Sequence, residues 1–165
     1  FPYLTALENL LVAMPHQAGE SLTGLFTSAA RAQERANREK AHELLGAVAL
    51  KGVADRPAGE LPFGQQKLIS LLRAVATEAK VLLLDEPAAG VENDLVPRVI
   101  DLIRGLVKAG GRATFLVEHN VDLVREVADQ VCVLQGGHII AAGVAEKVLG
   151  DETVIREYLG RVYNA

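Results

Sequence analysis

Three observations predict an α/β fold with a helical N-terminal part and a mostly parallel sheet layer after it. Residues 1–75 carry apolar positions at helical spacing and turn signals, but no convincing strand run. From Lys80 on, short apolar runs alternate with amphipathic segments, the pattern of strands joined by helices. The first of those runs, "VLLL" at Val81–Leu84, stops at two adjacent carboxylates, Asp85 and Glu86, at the strand end where open α/β sheets bind ligands.

The elements follow in order. Thr5 to Met14 reads as a helix, capped by Thr5 with Glu8 three residues on and an apolar stripe of Leu7, Leu10, Leu11 and Met14. "PHQAGES" is a loop. From about Ser28 to Val48 a charged helix pairs opposite signs four residues apart, as in Glu34 with Arg38 and Arg35 with Glu39, and reads as an exposed face. Pro57 and Gly59 interrupt it. "GELPFGQQ" turns the chain, and Gln65 to about Thr77 is helical again, with Leu68, Leu71, Leu72 and Val75 inward.

Val81–Leu84 is continuous enough for a strand covered on both faces. Leu95 to Val107 is a helix ended by Ala109-Gly110-Gly111. Ala113–Val117 is a second strand, and Val121–Ala128 a helix with Asn120 as its cap. "DQVCVLQGGHIIAAG" reads as two strands joined at Gly136-Gly137, and short helices follow at Glu146–Leu149 and Glu152–Leu159. The predicted division is 1–75, a helical subdomain, and 76–165, the latter part of a sheet core. Few strands and incomplete helical cover point to part of a larger fold.

Composition narrows the function. The chain has 165 residues, half of them apolar, which suffices for one domain with a core. A net charge of −4 supplies no general basic surface for nucleic acid, and few aromatics with no Trp argue against stacking platforms for single strands. The lone Cys132 has no disulfide partner and lies in "VCVL", so it is expected to be a buried thiol of a reducing compartment. No run is long enough to span a bilayer, and "FPYLTALENLLVAMP" lacks the basic flank of a signal peptide. The chain begins with Phe1 rather than Met, as a processed or truncated product would.

Three stretches carry chemistry. Asp85 is a hard oxygen ligand suited to magnesium, and Glu86 is placed to orient or deprotonate a water. A lone Asp-Glu pair often does no more than end a strand, but "VLLL" before it and "PAAG" after it favour a site. In "LPFGQQKL", Gly64 opens a helix whose free N–H groups attract an anion such as phosphate, and Gln65 adds an amide; a plain Pro-Gly turn is the bland alternative. His119 closes the second strand in "FLVEH", level with the carboxylates if the two strands are parallel neighbours, where an imidazole would meet a terminal phosphate. Glu118 reads as its local polar partner. His16, His42 and His138 carry no comparable context.

The order "LPFGQQKL", "LLRAVATEAKVLLLDEPAAGVE", "FLVEHNVDLVREVADQVCVLQGGHIIAAG" resembles the ATP-binding subunit of an ABC transporter over essentially the whole chain. The resemblance implies a partial P-loop NTPase fold. "LPFGQQ" is similar to the ABC signature, which implies nucleotide contacts for Pro62, Phe63, Gly64, Gln65 and Gln66. Asp85 matches the Walker B aspartate, a magnesium ligand. Glu86 matches the catalytic glutamate, Ala88–Glu92 the D-loop, and His119 the switch histidine. Pro62 stands where the general signature has a serine, so a contact made by that hydroxyl would fall to the backbone, Gly64 and Gln65. Pro62 with Phe63, "DEPAAG" and the tail "VIREYLG" resemble the branched-chain amino acid importers.

No G-x-x-x-x-G-K-[ST] occurs anywhere in the sequence. "FPYLTALENLL" resembles the stretch that follows the Q-loop. The resemblance therefore implies a C-terminal portion without Walker A or Q-loop, which binds ATP and magnesium weakly or not at all by itself. In the intact parent it implies two ATPs in a head-to-tail dimer of ATPase subunits, permease partners, no nucleic acid, and a peripheral place on the cytoplasmic face of the membrane. The chain is also expected to self-associate through an exposed sheet edge. The alternatives are a non-catalytic binding or structural module derived from such an ATPase, and an ABC ATPase of DNA repair or chromosome structure. The latter is disfavoured by the missing coiled-coil insertion and the acidic balance.

Overall fold

The computed structural model describes residues 1–15, 17, 27–108 and 111–156. His16, most of the loop expected at 15–21, the helix stop at Ala109-Gly110 and the tail after residue 156 lie outside the described residues. The chain forms two compact units, Phe1–Val117 and the stretch from Glu118 on.

The first unit starts with α1 (Ala6–Leu11), shorter than expected because the chain leaves the helix at Val12. Its start is the expected capping box. The Thr5 hydroxyl accepts from the Glu8 N–H at 3.1 Å, and the Glu8 carboxylate accepts from the Thr5 N–H at 2.8 Å. The backbone bond to Thr5, and then the hydroxyl bond, hold the Glu8 carboxyl below the usual glutamate range. Asn9 is buried in the same turn, and its amide donates to the carbonyls of Phe1, Leu4 and Thr5 at 2.9, 3.2 and 3.0 Å.

Helix α2 (Ser28–Ala47) is mainly exposed, as its charge pattern implies; Ala41 and Leu45 are its buried residues, and Glu34 pairs with Arg38 at 3.1 Å. Two 3₁₀ turns, Lys51–Val53 and Ala58–Glu60, lead to α3 (Phe63–Ala76). Pro62 flanks the helix in an extended conformation and starts it at Phe63, two residues before the expected Gln65. Leu68, Leu71, Leu72 and Val75 are buried as predicted, and α1, α2 and α3 pack together around Leu10, Leu45, Leu68 and Leu72.

Strands β1 (Val81–Asp85) and β2 (Ala113–Val117) are parallel neighbours, with Asp85 opposite Val117, and α4 (Val96–Lys108) connects them. Val99, Ile103 and Leu106 form the buried stripe of α4, which lies against β2. Two expectations need correction here. Leu82 and Leu84 are buried, but Leu83 is 76 % and Phe115 65 % exposed, so the "VLLL" strand is covered on one face only. The run is apolar on both faces, yet these residues supply packing to one. The strands described are also not mostly parallel: β1 and β2 form one parallel pair, and the other two form a separate antiparallel sheet.

In the second unit Asn120 caps α5 (Val121–Val127) by accepting from the Leu123 N–H at 3.1 Å. Strands β3 (Gln130–Gln135) and β4 (His138–Val144) form the expected hairpin. Its two turn residues, Gly136 and Gly137, both take positive φ (56° and 81°), as a tight two-residue connection requires. Helix α6 (Ala145–Leu149) packs Val148 on Val133 and Leu149 on Val121, and α7 (Glu152–Val154) adds Val154 to the first of these clusters. Strand alternation turns Val131 and Val133 inward and Cys132 outward, so Cys132 is exposed rather than buried.

Candidate functional site

Five of the predicted residues meet at the start of α3. Pro62 and Phe63 are exposed, Gly64 is buried, and Gln65 and Gln66 are half-buried. No side chain caps this helix start. The first N–H with an intrahelical partner is that of Gln66, which donates to the Pro62 carbonyl at 3.0 Å. The N–H groups of Phe63, Gly64 and Gln65 therefore precede the helical ladder, where the helix field favours an anion. The side-chain amide of Gln66 is engaged locally, donating to the Leu61 carbonyl at 2.8 Å.

Asp85 and Glu86 lie at the carboxyl end of β1, and both are exposed. The Glu86 N–H extends the sheet by donating to the Val117 carbonyl at 2.9 Å. Its φ is +44°, a left-handed conformation that non-glycine residues rarely adopt. The loop after it returns to α3. A Cβ added at Gly64 would lie 2.5 Å from the Gly90 carbonyl oxygen, 3.0 Å from Glu92 Oε2 and 3.2 Å from the Val91 Cα. Gly90, at φ +73°, faces the Phe63 ring, where an added Cβ would lie 2.8 Å from Cε1. The structure thus brings "PFG" together with the loop that follows "DE".

His119 belongs to the second unit. Its side chain is 63 % exposed, whereas that of Glu118 is 1 % exposed. The Glu118 carboxylate accepts from the N–H groups of His119 and Asn120 at 3.1 and 3.2 Å, the local polar role expected of it. Sequence reasoning missed Gly90 as a contact of Phe63 and Gly64. The available signal was a glycine in a loop of otherwise helix-compatible residues, "AAGVE".

Among the described residues no group of three or more His, Cys, Asp or Glu could hold a metal ion. One exposed carboxylate, Asp85, fits a magnesium ion that takes its remaining ligands from phosphates and water. No G-x-x-x-x-G-K-[ST] run occurs in these 165 residues, so the residues present fit a magnesium nucleotide only in part. A cavity of about 220 Å³, lined by Met14, Pro15, Gln33, Asn37, Lys40 and Glu78, includes none of the predicted site residues.

Residues 1–89, more than half of the chain, match the family model described as ABC transporter. The chain belongs to the ABC transporter family. Like other chains of that family it has an ABC ATPase fold, here a helical part with parallel and antiparallel strands. The high-affinity branched-chain amino acid transport ATP-binding protein BraF of Pseudomonas aeruginosa is 38 % identical over 162 residues, covering 97 % of this chain and 64 % of BraF. LivG of Escherichia coli K12, with the same description, is 34 % identical over 97 % of this chain and 64 % of its own length. The ADP conformation of MJ1267, an ATP-binding cassette of an ABC transporter, superposes with a TM-score of 0.66 at 34 % identity, over 96 % of this chain and 64 % of that one. The chain thus spans about 64 % of the length of these curated relatives. No described helix is long and apolar enough to cross a membrane.

Proposed function

We propose that this chain is the C-terminal portion of an ABC ATPase that powers import of branched-chain or other hydrophobic amino acids. The observation that carries the proposal is the packing of the α3 start at Phe63 and Gly64 on the loop that follows Asp85 and Glu86. It supports the reading by joining the anion-favouring helix start to the loop that continues from the strand-end carboxylates. The relatives named for branched-chain amino acid transport support the choice of solute.

In this proposal residues 1–75 are the helical subdomain and 76–165 the latter part of the catalytic core. Asp85 holds magnesium, and Glu86 orients the water that attacks the terminal phosphate, giving ADP and phosphate. His119 contacts that phosphate. Pro62, Phe63, Gly64, Gln65 and Gln66 face a nucleotide held by a second ATPase subunit. The complex includes permease subunits, and the ATPase sits on the cytoplasmic membrane face. Alone, the 165 residues bind ATP weakly, because backbone N–H groups of a P-loop and its lysine supply most of the grip on the phosphates. The apolar face carried by Leu83 and Phe115 favours self-association of the separate chain.

The test is calorimetric titration of magnesium-ATP into this chain and into a longer one that carries a P-loop ahead of Phe1. Binding by the longer chain alone, with turnover abolished by Glu86→Gln, is the expected result. Tight binding by the 165 residues themselves would sink the reading of the nucleotide grip. Unimpaired turnover in Glu86→Gln would remove Glu86 from its role.

A further inference from the structure

We propose that Phe63 and Gly64 are positioning residues for Glu86, acting through Gly90. The inference rests on the reading of Glu86 as the group that orients the attacking water. Glu86 sits at φ +44°, a strained conformation that persists only when its surroundings hold it. Its own N–H is tied to Val117 on one side. On the other side the chain runs through a tight loop, in which Ala89 N–H donates to the Glu86 carbonyl at 3.1 Å and Val91 N–H to the Ala88 carbonyl at 3.2 Å.

That loop is gripped at one point. The Phe63 ring covers the Cα of Gly90 on the side where a Cβ would project, and the Gly64 Cα abuts the Gly90 carbonyl on another. Both contacts require glycine: at Gly90 because φ is +73° and the ring is there, and at Gly64 because the carbonyl leaves no room for a methyl group. Three residues separate Glu86 from Gly90, and the bonds from Ala89 and Val91 stiffen the span. A shift of the first turn of α3 is therefore passed to the backbone of Glu86. Phe63 is 68 % exposed as a whole, so whatever seats on this turn presses on a residue already in contact with the loop. Phe63 thereby joins occupancy of the helix start to the geometry of the carboxylate, a task separate from touching a ligand.

The experiment is residue-by-residue amide hydrogen exchange on the chain with Phe63→Ala and Phe63→Tyr. Phe63→Ala is expected to speed exchange at Ala89 and Val91 about tenfold, with Leu72 and Val75 in the interior of α3 unchanged. Phe63→Tyr keeps the ring and should restore the original rates. Unchanged rates at Ala89 and Val91 in Phe63→Ala overturn the proposal. If α3 itself opens in that variant, Gly90→Ala decides. Its added methyl must displace the Phe63 ring and change the ring proton shifts, and unchanged shifts overturn the contact. In the longer chain with a P-loop, Phe63→Ala should lower kcat for ATP hydrolysis about tenfold, whatever its effect on KM, and Phe63→Tyr should recover it. A rise in KM with kcat intact would assign Phe63 to nucleotide binding and overturn the positioning role. Absence of hydrolysis in the unsubstituted longer chain would defeat the reading of Glu86, while the exchange rates would still decide the contact.

Discussion

Gly64→Ala offers a sharp test of the close approach between α3 and the loop after Glu86. The added Cβ would lie 2.5 Å from the Gly90 carbonyl oxygen. Real Cβ contacts do not come this close, and the obstacle is backbone in a hydrogen-bonded loop rather than the free end of a side chain. Overpacking of this kind costs about 1–3 kcal/mol. Alanine recovers some helix propensity, at most about 1 kcal/mol and less in the first turn. The net expectation is a loss of about 1–2 kcal/mol. In urea denaturation followed by circular dichroism, that loss lowers the midpoint by roughly 0.5–1 M. Gly105→Ala is the internal control. It lies on the exposed side of α4 with nothing within 4 Å of the added Cβ, and should gain about 0.5–1 kcal/mol. The two substitutions are chemically identical and are expected to have opposite signs. A Gly64→Ala midpoint raised like that of Gly105→Ala would refute the close approach and the positioning role built on it.

Other outcomes are as specific. Asn9→Ala removes an amide that donates to three backbone carbonyls from a residue 1 % exposed, and should cost about 2–3 kcal/mol in the same urea assay. The Glu8 carboxyl is held below its ordinary range, so the folded state gives up this proton more readily than the unfolded chain. The stability it contributes is present above the ordinary glutamate value and is lost as pH falls through the lowered one. Thr5→Ala should flatten that acid dependence in melts taken across the carboxylate range. Leu84→Ala should cost about 2–5 kcal/mol, whereas Leu83→Thr, on the open face of the same strand, should stay within about 0.5 kcal/mol of the parent. Cys132, on the outward face of β3, should react with iodoacetamide in the native chain as fully as in the unfolded one, as read by mass spectrometry.

Much of the local structure was legible because it rests on neighbours in sequence. The Thr5–Glu8 box, the Asn120 cap, the Glu34–Arg38 pair and the Gly136-Gly137 hairpin each involve residues within a few positions of one another, so spacing alone carries them. The start of α3 lies two residues before Gln65, because Pro62 rather than Gly64 is the boundary. The exposure of Cys132 was not legible for a different reason. An apolar run does not state which of its faces is covered, and alternation exposed Cys132 while it hid Val133. Leu83 failed in the same way against Leu82 and Leu84.

By itself, then, the sequence determined the kinds of element, their order, and which side chains stand at the end of β1, the start of α3 and position 119. It did so because propensity, capping and side-chain chemistry are properties of short segments. Only the tertiary structure decided which of those residues share a neighbourhood. The return of the Glu86–Glu92 loop onto Phe63 and Gly64 spans more than twenty residues of chain and depends on α3 and β1 packing side by side. No periodicity encodes such a contact, and the two glycines that permit it become legible only once their backbones are brought together.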